Sequence, residues 1–259
     1  MWQSGEFGDG SGLIFNELFF KRRSMNYAII AAGEGSRLAR EGITLPKPMV
    51  SLNGQMLIDR LIGIFMDTNP ESIRVIINED SDPLAEHLLA LSETLPIAVV
   101  RQSTPSSLHS FHELLKTMPA VDALCLATTD TVFKEDEFRA FITEFERRPE
   151  LDGLMAVTTF VDDESPLFVT VDATQAIVAF TDKNTTDTPY ISGGVYALRK
   201  KALEAVGQVV ESGNSRMRNF QRYLLEKELA IQAYPFAKIV DVDHVRDIET
   251  AELFLSEAN

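Results

Sequence analysis

The sequence predicts an α/β fold: a mostly parallel, Rossmann-like sheet flanked by helices, with a small β-rich insertion in the second half. Three observations carry this. Short apolar, β-branched runs alternate with amphipathic runs from residue 27 to residue 160, the pattern of βαβ units. A pair of glycines follows the first apolar run directly, in AAGEGSR at 31–37, at the kind of strand end where open α/β sheets bind ligands. After about residue 160 the texture changes to two short β-like runs around a turn.

Each element can be justified in order. YAIIAA (27–32) is a strand that ends in glycine, and MLIDRLIGIFMDT (56–68) has helical spacing. SIRVIIN (72–78) and IAVVRQ (97–102) are β-branched strands, and PLAEHLLALSETL (83–95) between them is a helix. SLHSFHELLKTM (107–118) is a helix, and ALCLATTD (123–130) is a buried strand running into a polar tip. KEDEFRAFITEFERR (134–148) keeps its charges on one helical face, and GLMAVTTF (153–160) is a strand. Beyond it, LFVTVDATQAIVAFTDK reads as two short strands, and YISGGVYALRKKALEAV as strand then helix. RNFQRYLLEKEL is a helix, IQAYPF a strand and VRDIETAELFLSEA a closing helix. There are no repeats, low-complexity tracts or Pro/Ser-rich linkers.

The chain has 259 residues, 45% of them hydrophobic, which suffices for one large core. The net charge of -15 repels a phosphate backbone, so nucleic acid is not an expected partner. The same field makes a local cluster of cations informative. The single cysteine, Cys125, lies in the apolar run ALCLA and excludes a disulfide framework, which fits a reducing cytoplasm. No apolar stretch approaches the roughly 20 residues that span a bilayer, so no membrane is expected. A homo-oligomer is compatible with everything read so far.

Residues 1–24 are read as an N-terminal extension, and residues 25–259 as one domain. The extension has no positively charged region before an apolar run, so it does not read as a signal peptide. Lys21-Arg22-Arg23 shortly precedes Met25, which itself precedes the first strand. Such residues can be encoded by a purine-rich stretch resembling a bacterial ribosome-binding site, so the expected native start is Met25. The alternative is an arm that packs on the body through Phe15, Leu18, Phe19 and Phe20. At the other end, no segment long enough for a C-terminal acyltransferase or β-helix domain follows the last helix.

Gly33 and Gly35 lack a Cβ and can adopt positive φ, so a phosphate can approach their N–H groups closely. The dinucleotide fingerprint fails because its third glycine would be Leu38, and no P-loop occurs. What remains is a backbone cradle of Ala31, Ala32, Gly33, Gly35 and Ser36, followed by Arg37, Arg40 and Lys47. That combination points to a polyphosphate; a tight turn with surface cations is the plainer alternative.

Gly33-Glu34-Gly35-Ser36-Arg37 and Pro46-Lys47-Pro48 resemble the signature of the sugar-phosphate nucleotidyltransferases, G-x-G-[ST]-R, a gap, then P-K-P. The resemblance runs from Tyr27 to the end of the chain with decreasing clarity. It implies the nucleotide-diphospho-sugar transferase fold. It also implies that the glycine loop and Arg37 hold the β- and γ-phosphates, and that Lys47 neutralises charge at the α-phosphate. Fixed cations and a metal are what two anionic reactants need in order to meet.

QSTPSSL (102–108) is similar to the family's Q-x-x-P-x-G-L, with Gln102 and Pro105 in place and Ser107 where glycine is usual. The Gln102 carboxamide could read a base edge, or simply end a strand before a Ser-capped helix. Asp130, at the tip of a central strand, is placed to hold Mg2+ beside phosphates, and the family carries its metal aspartate there. Thr129 replaces the usual glycine before it. VDVDHVRDIETAE (240–252) resembles D-x-D-T-P-E-D-L, with His244-Val245-Arg246 replacing Thr-Pro-Glu. Asp241 and Asp243 point the same way if that segment is extended, and would join Asp130 on Mg2+; a helix cap is the plainer use. On the acceptor side, Lys183 resembles the family's lysine near the sugar phosphate and Gly194 its loop against the sugar, and Arg216 and Arg218 could bind the acceptor phosphate or simply solvate a helix. His109 and His112 share a helix face without carboxylate or cysteine partners, which reads as packing.

The expected function is transfer of a nucleoside monophosphate from a nucleoside triphosphate to a sugar 1-phosphate, with pyrophosphate released. A cytidylyltransferase for a phospho-alcohol such as phosphocholine uses the same loop. Phe160, Phe168, Tyr190 and Tyr196 are the aromatics available for a quaternary ammonium. A glycosyltransferase would have no γ-phosphate to hold. A catalytically silent nucleotide-binding module remains the alternative from another class, because Ser107, Thr129 and 244–246 depart from the pattern. Mass spectrometry of the endogenous protein tests the leader: Met25 is the expected first residue, and an intact Met1 terminus would end that reading.

Overall fold

A computed structural model describes residues 25–162, 164–184 and 188–257. Both expectations about residues 1–24, a start at Met25 or a packed arm, lie outside the described residues.

The chain opens with β1 (Asn26–Ala31), the glycine turn and the short helix α1 (Ser36–Arg40). A 3₁₀ turn at Lys47–Met49 leads to a small hairpin, β2 (Ser51–Leu52) and β3 (Gln55–Met56). Then follow α2 (Leu57–Met66), β4 (Ser72–Ile77), α3 (Asp82–Ser92), β5 (Ile97–Arg101) and α4 (Ser107–Thr117). Next come β6 (Ala123–Thr128), β7 (Thr131–Val132), α5 (Glu135–Arg147) and β8 (Gly153–Thr158). The second half holds β9 (Phe168–Val171), β10 (Ile177–Thr181), β11 (Tyr190–Arg199), α6 (Lys200–Glu211) and α7 (Met217–Glu226). It closes with β12 (Ile231–Phe236), β13 (Val240–Asp241) and α8 (Val245–Ser256).

Nine strands form one sheet. β1 lies between β4 and β6, parallel to both, and β5 extends this half beyond β4. β11 runs antiparallel to β6, β8 and β9, while β12 runs parallel to β8. All the sheet strands except β10 and β11 therefore share one direction, so the expected mostly parallel sheet is present. The β-rich part of the second half is the β9–β10 antiparallel pair, which joins the main sheet through Tyr190 and Ile191 of β11.

The central strand is buried on both faces, as parallel strands flanked by helices are. Tyr27, Ile29 and Ala31 face one core with Phe65, Phe133, Phe138 and Phe141, under α2, α3 and α5. Ala28 and Ile30 face the other, with Phe111 and Phe220, under α4, α6 and α7. A third, smaller apolar cluster lies off the main sheet. It joins Leu38 of α1, Val50, Leu52, Val132, Val240, Val242 and Phe254 of α8. The buried Cys125 thiol is unpaired, and burial pushes its pKa up. Among the described residues no helix is long and apolar enough to cross a membrane.

Phe138 stacks on Phe133 and Phe65, each with ring centroids 5.3 Å apart. Phe138→Ala removes a fully buried ring from this stack and should cost about 3–5 kcal/mol in urea unfolding.

Candidate active site

The glycine turn is shaped by one residue in particular. Gly35 has φ +59, and a Cβ on it would lie 3.0 Å from Cβ of Lys47. The turn therefore packs directly on the lysine of the Pro-Lys-Pro segment. Gly33, by contrast, has nothing within 4 Å of where a Cβ would be, so its backbone side is open to a ligand.

Lys47 is only 8% exposed, and its ammonium lies 2.7 Å from Oδ2 of Asp130 and 2.5 Å from Oδ1 of Asp243. Burial works against its charge, but the two carboxylates outweigh it and hold the lysine pKa above its ordinary value. Burial likewise opposes the Asp130 charge, and Lys47, with the Thr128 hydroxyl, brings that carboxyl below its usual range. Arg37 donates from Nη1 to Oδ2 of Asp243 at 2.7 Å, and its Nη2 stands 3.4 Å from Glu164. Arg40 is exposed. Arg37 and Lys47, ten residues apart at the first strand, thus meet carboxylates that arrive from β6 and from the turn before α8.

The approach of these distant segments has a backbone cause. β7 and β13 pair antiparallel, Thr131 opposite Asp241. Val242 donates its N–H to the Asp130 carbonyl at 3.0 Å. Thr131 Oγ1 donates to Asp241 at 3.3 Å. Gly194 sits against the same place: it has φ +73, and a Cβ there would be 2.7 Å from Thr131 Oγ1.

Asp130, Asp241 and Asp243 face one cleft, while no group of three or more His, Cys, Asp or Glu close enough to hold one metal ion forms among the described residues. The segment turns instead of staying extended: the Asp243 N–H reaches back to the Asp241 carbonyl at 3.2 Å. Asp241 therefore stays with Thr131, while Asp243 faces Lys47 and Arg37.

Asp130, Asp241 and Asp243 open onto a cleft of about 430 Å³ that Ser107, Gly194 and Arg216 also line. Of its other walls, Tyr196 and Arg218 stood among the sequence candidates, while Ser192 and Gln221 did not. Gln221, fully buried on α7, donates to Ser192 Oγ at 2.8 Å beside Tyr196. Burial pushes the Tyr196 pKa up to about 12. Arg218 pairs with Asp182 at 2.5 Å. Amphipathic spacing marks these residues as helix or strand without showing which face turns to a cleft. Lys183 is exposed and does not line this cleft. Of the four aromatics, only Tyr196 lines the cleft; Phe160 lies under Lys238 instead.

Beyond β5, Gln102 gives its N–H to the Ile77 carbonyl at 2.9 Å, and Lys116 first, with Gln102 as a smaller contributor, holds the Glu113 carboxyl of α4 below its usual range. Pro105 is exposed. Ser106, not Ser107, caps α4, accepting from the His109 N–H. His109 is thereby occupied with Ser106 at 2.9 Å, in keeping with its expected packing role.

Residues 27–187 match the family profile of the MobA-like NTP transferase domain. The chain belongs to that family. A stretch of 79 residues is 34% identical to a 2-aminoethylphosphonate cytidylyltransferase of Lancefieldella rimae, covering 30% of this chain and 30% of that relative. Among solved structures, the inositol-1-phosphate CTP transferase of T. maritima superposes with a TM-score of 0.73 over 91% of this chain and 98% of that one, at 16% identity. A nucleoside-diphosphate-sugar pyrophosphorylase of Vibrio cholerae does so with a TM-score of 0.66 over 87% and 99%, at 19% identity. These structural likenesses concern the fold. This NTP transferase chain carries the glycine turn, Arg37 and Lys47 inside the matched segment, and Asp241 and Asp243 outside it.

Gly35→Ala tests the turn. A left-handed alanine beside the Lys47 stem should cost about 1–2 kcal/mol in urea unfolding, and an unchanged midpoint would contradict the packing described.

Proposed function

We propose that this protein transfers a nucleoside monophosphate from a nucleoside triphosphate to a sugar 1-phosphate, yielding a nucleotide-sugar and pyrophosphate. The carrying observation is the buried Lys47 beside an open glycine turn, facing carboxylates from two distant segments. In this reading the backbone of Ala31 to Ser36 and the Arg37 guanidinium bind the β- and γ-phosphates. Lys47 neutralises the α-phosphate, and Gln102, Pro105 and Ser107 border the base. An acceptor phosphate oxygen attacks the α-phosphorus while the bond to the β-phosphate bridging oxygen breaks. The attacking group is already an anion, so no protein nucleophile or base is required. Catalysis is positioning and charge neutralisation.

The donor set fits a hard divalent cation. Asp130 and Asp241 offer carboxylate oxygens at adjoining backbone positions, and Mg2+ typically takes one or two carboxylates and completes its shell with phosphates and water. Such an ion, when bound, would offset the charge that builds on the phosphates. Gly194 and Arg216 border the acceptor, and the polar walls at Ser192 and Gln221 suit hydroxyl groups.

A second reading is cytidylyl transfer to a small phosphonate or phospho-alcohol. The 79-residue match to a phosphonate cytidylyltransferase favours it. A single aromatic on the cleft wall disfavours a quaternary ammonium acceptor.

Pyrophosphate release across five triphosphates, with sugar 1-phosphates in one panel and phosphocholine and 2-aminoethylphosphonate in another, separates the two. Release with the first panel supports the sugar reading; release with CTP and the second panel alone supports the other. No release with any acceptor, despite triphosphate binding, would leave a silent nucleotide-binding module. In an active enzyme, Lys47→Ala and Asp130→Ala should each lower kcat by about 10²–10³-fold with the circular-dichroism spectrum retained. Near-normal turnover in purified Lys47→Ala would refute its assignment.

A further inference from the structure

The departure at His244-Val245-Arg246 has a structural use. Glu41 follows α1 directly, its backbone N–H bonded to the carbonyls of Arg37 and Leu38 at 3.2 and 3.1 Å. Its two carboxylate oxygens engage the start of α8 separately. Oε1 lies 2.6 Å from Nδ1 of His244, and Oε2 accepts the Val245 N–H at 2.7 Å. Asp247 takes the two preceding donors, the N–H groups of Asp243 and His244, at 2.9 and 2.6 Å. Three successive backbone donors that open a helix are thus satisfied by two carboxylates, one of them 204 residues away in sequence. A proline at 245, as in the T-P-E pattern, would have no N–H to offer. The valine found here supplies the donor that Glu41 uses.

The contacts close a ring. Arg37 lies one helical turn before Glu41 on α1, and Arg37 pairs with Asp243, two residues before Val245. Glu164 spans the ring's open side, 3.4 Å from Arg37 and 3.6 Å from Nε2 of His244. We propose that Glu41 is a positioning residue: by clasping His244 and Val245 it sets the Arg37 guanidinium against Asp243 and aims it at the phosphate site. This rests on the proposed function, because it gives Arg37 a phosphate to hold.

The test is a double-mutant cycle between Glu41 and Arg37, with Val245→Pro as a second way to break the clasp. Proline is tolerated at the first position of a helix, so Val245→Pro removes the donor and keeps α8. The readouts are affinity for a non-hydrolysable triphosphate by calorimetry, and kcat/KM for pyrophosphate release. Glu41→Ala should weaken both about tenfold in the otherwise unchanged chain and less than threefold in an Arg37→Ala background. Val245→Pro should reproduce part of the loss, and Glu41→Gln, which still accepts a hydrogen bond, should recover most of it. Leu88→Ala, on the buried face of α3, controls for lost stability and should lower the melting temperature without changing triphosphate affinity. Equal effects of Glu41→Ala with and without Arg37, or triphosphate affinity unchanged in Glu41→Ala, would overturn the positioning role. If the unaltered protein binds triphosphate but releases no pyrophosphate, the transferase reading falls, and the affinity cycle still decides the role of Glu41. If it binds no triphosphate, both fall.

Discussion

A lysine ammonium buried to 8% exposure constrains everything around it. Moving such a charge out of water costs several kcal/mol unless opposite charge stands beside it. Two unit charges about 4 Å apart recover about 4 kcal/mol at an effective dielectric of about 20. Asp130 and Asp243 together are therefore enough to keep Lys47 charged, and the lysine in turn keeps Asp130 ionised. None of the three can be judged alone. The segment before α8 meets this requirement by returning to the first strand, where the two-residue strands β7 and β13 pair.

That convergence is held by apolar contact as much as by charge. The small third cluster gathers α1, the hairpin after the Pro-Lys-Pro turn, β7, β13 and α8. It is separate from the two large cores that sandwich the sheet. The division follows a general economy of α/β folds, in which the sheet supplies a rigid platform and loops at its strand ends carry the chemistry. Here those loops have a core of their own, so Arg37 and Asp243 are fixed relative to each other across 206 residues of sequence.

The second half of the sheet serves the cleft. β11 carries two adjacent glycines where its register shifts between Ser192 and Tyr196. A Cβ at Gly193 would lie 2.3 Å from Ile239, and one at Gly194 would meet Thr131. The glycines let β11 pass close beneath β7 and the segment leading to β13, leaving β6 at its far half and taking up β9 at its near one. This wall of the cleft thus follows from one irregular strand. The polar walls of the cleft come from residues such as Gln221 whose helical spacing alone says only that they are buried.

Most of the fold was legible in the sequence because it depends on local periodicity. Most strands and helices end close to their expected bounds, β12 matching its expected run at both ends and α6 running on past Val206 to Glu211, since apolar runs with period 2 or 3.6 encode them directly. The glycine turn with Arg37 and Lys47 was legible too, because special backbone geometry and clustered cations in an acidic chain leave compact signals. What the sequence could not decide was which distant carboxylates those cations meet. Asp241 and Asp243 both face the cleft, but a turn at Asp243 gives them different partners, Thr131 for the first and Lys47 with Arg37 for the second. Lys183 and Arg216 are both exposed cations, and which of them borders the cleft, Arg216, is decided only by packing. Glu41 gave no signal at all, being one acidic residue among many at a helix end. Local chemistry is written in neighbouring residues; the pairing of charges two hundred residues apart is set only when the chain packs.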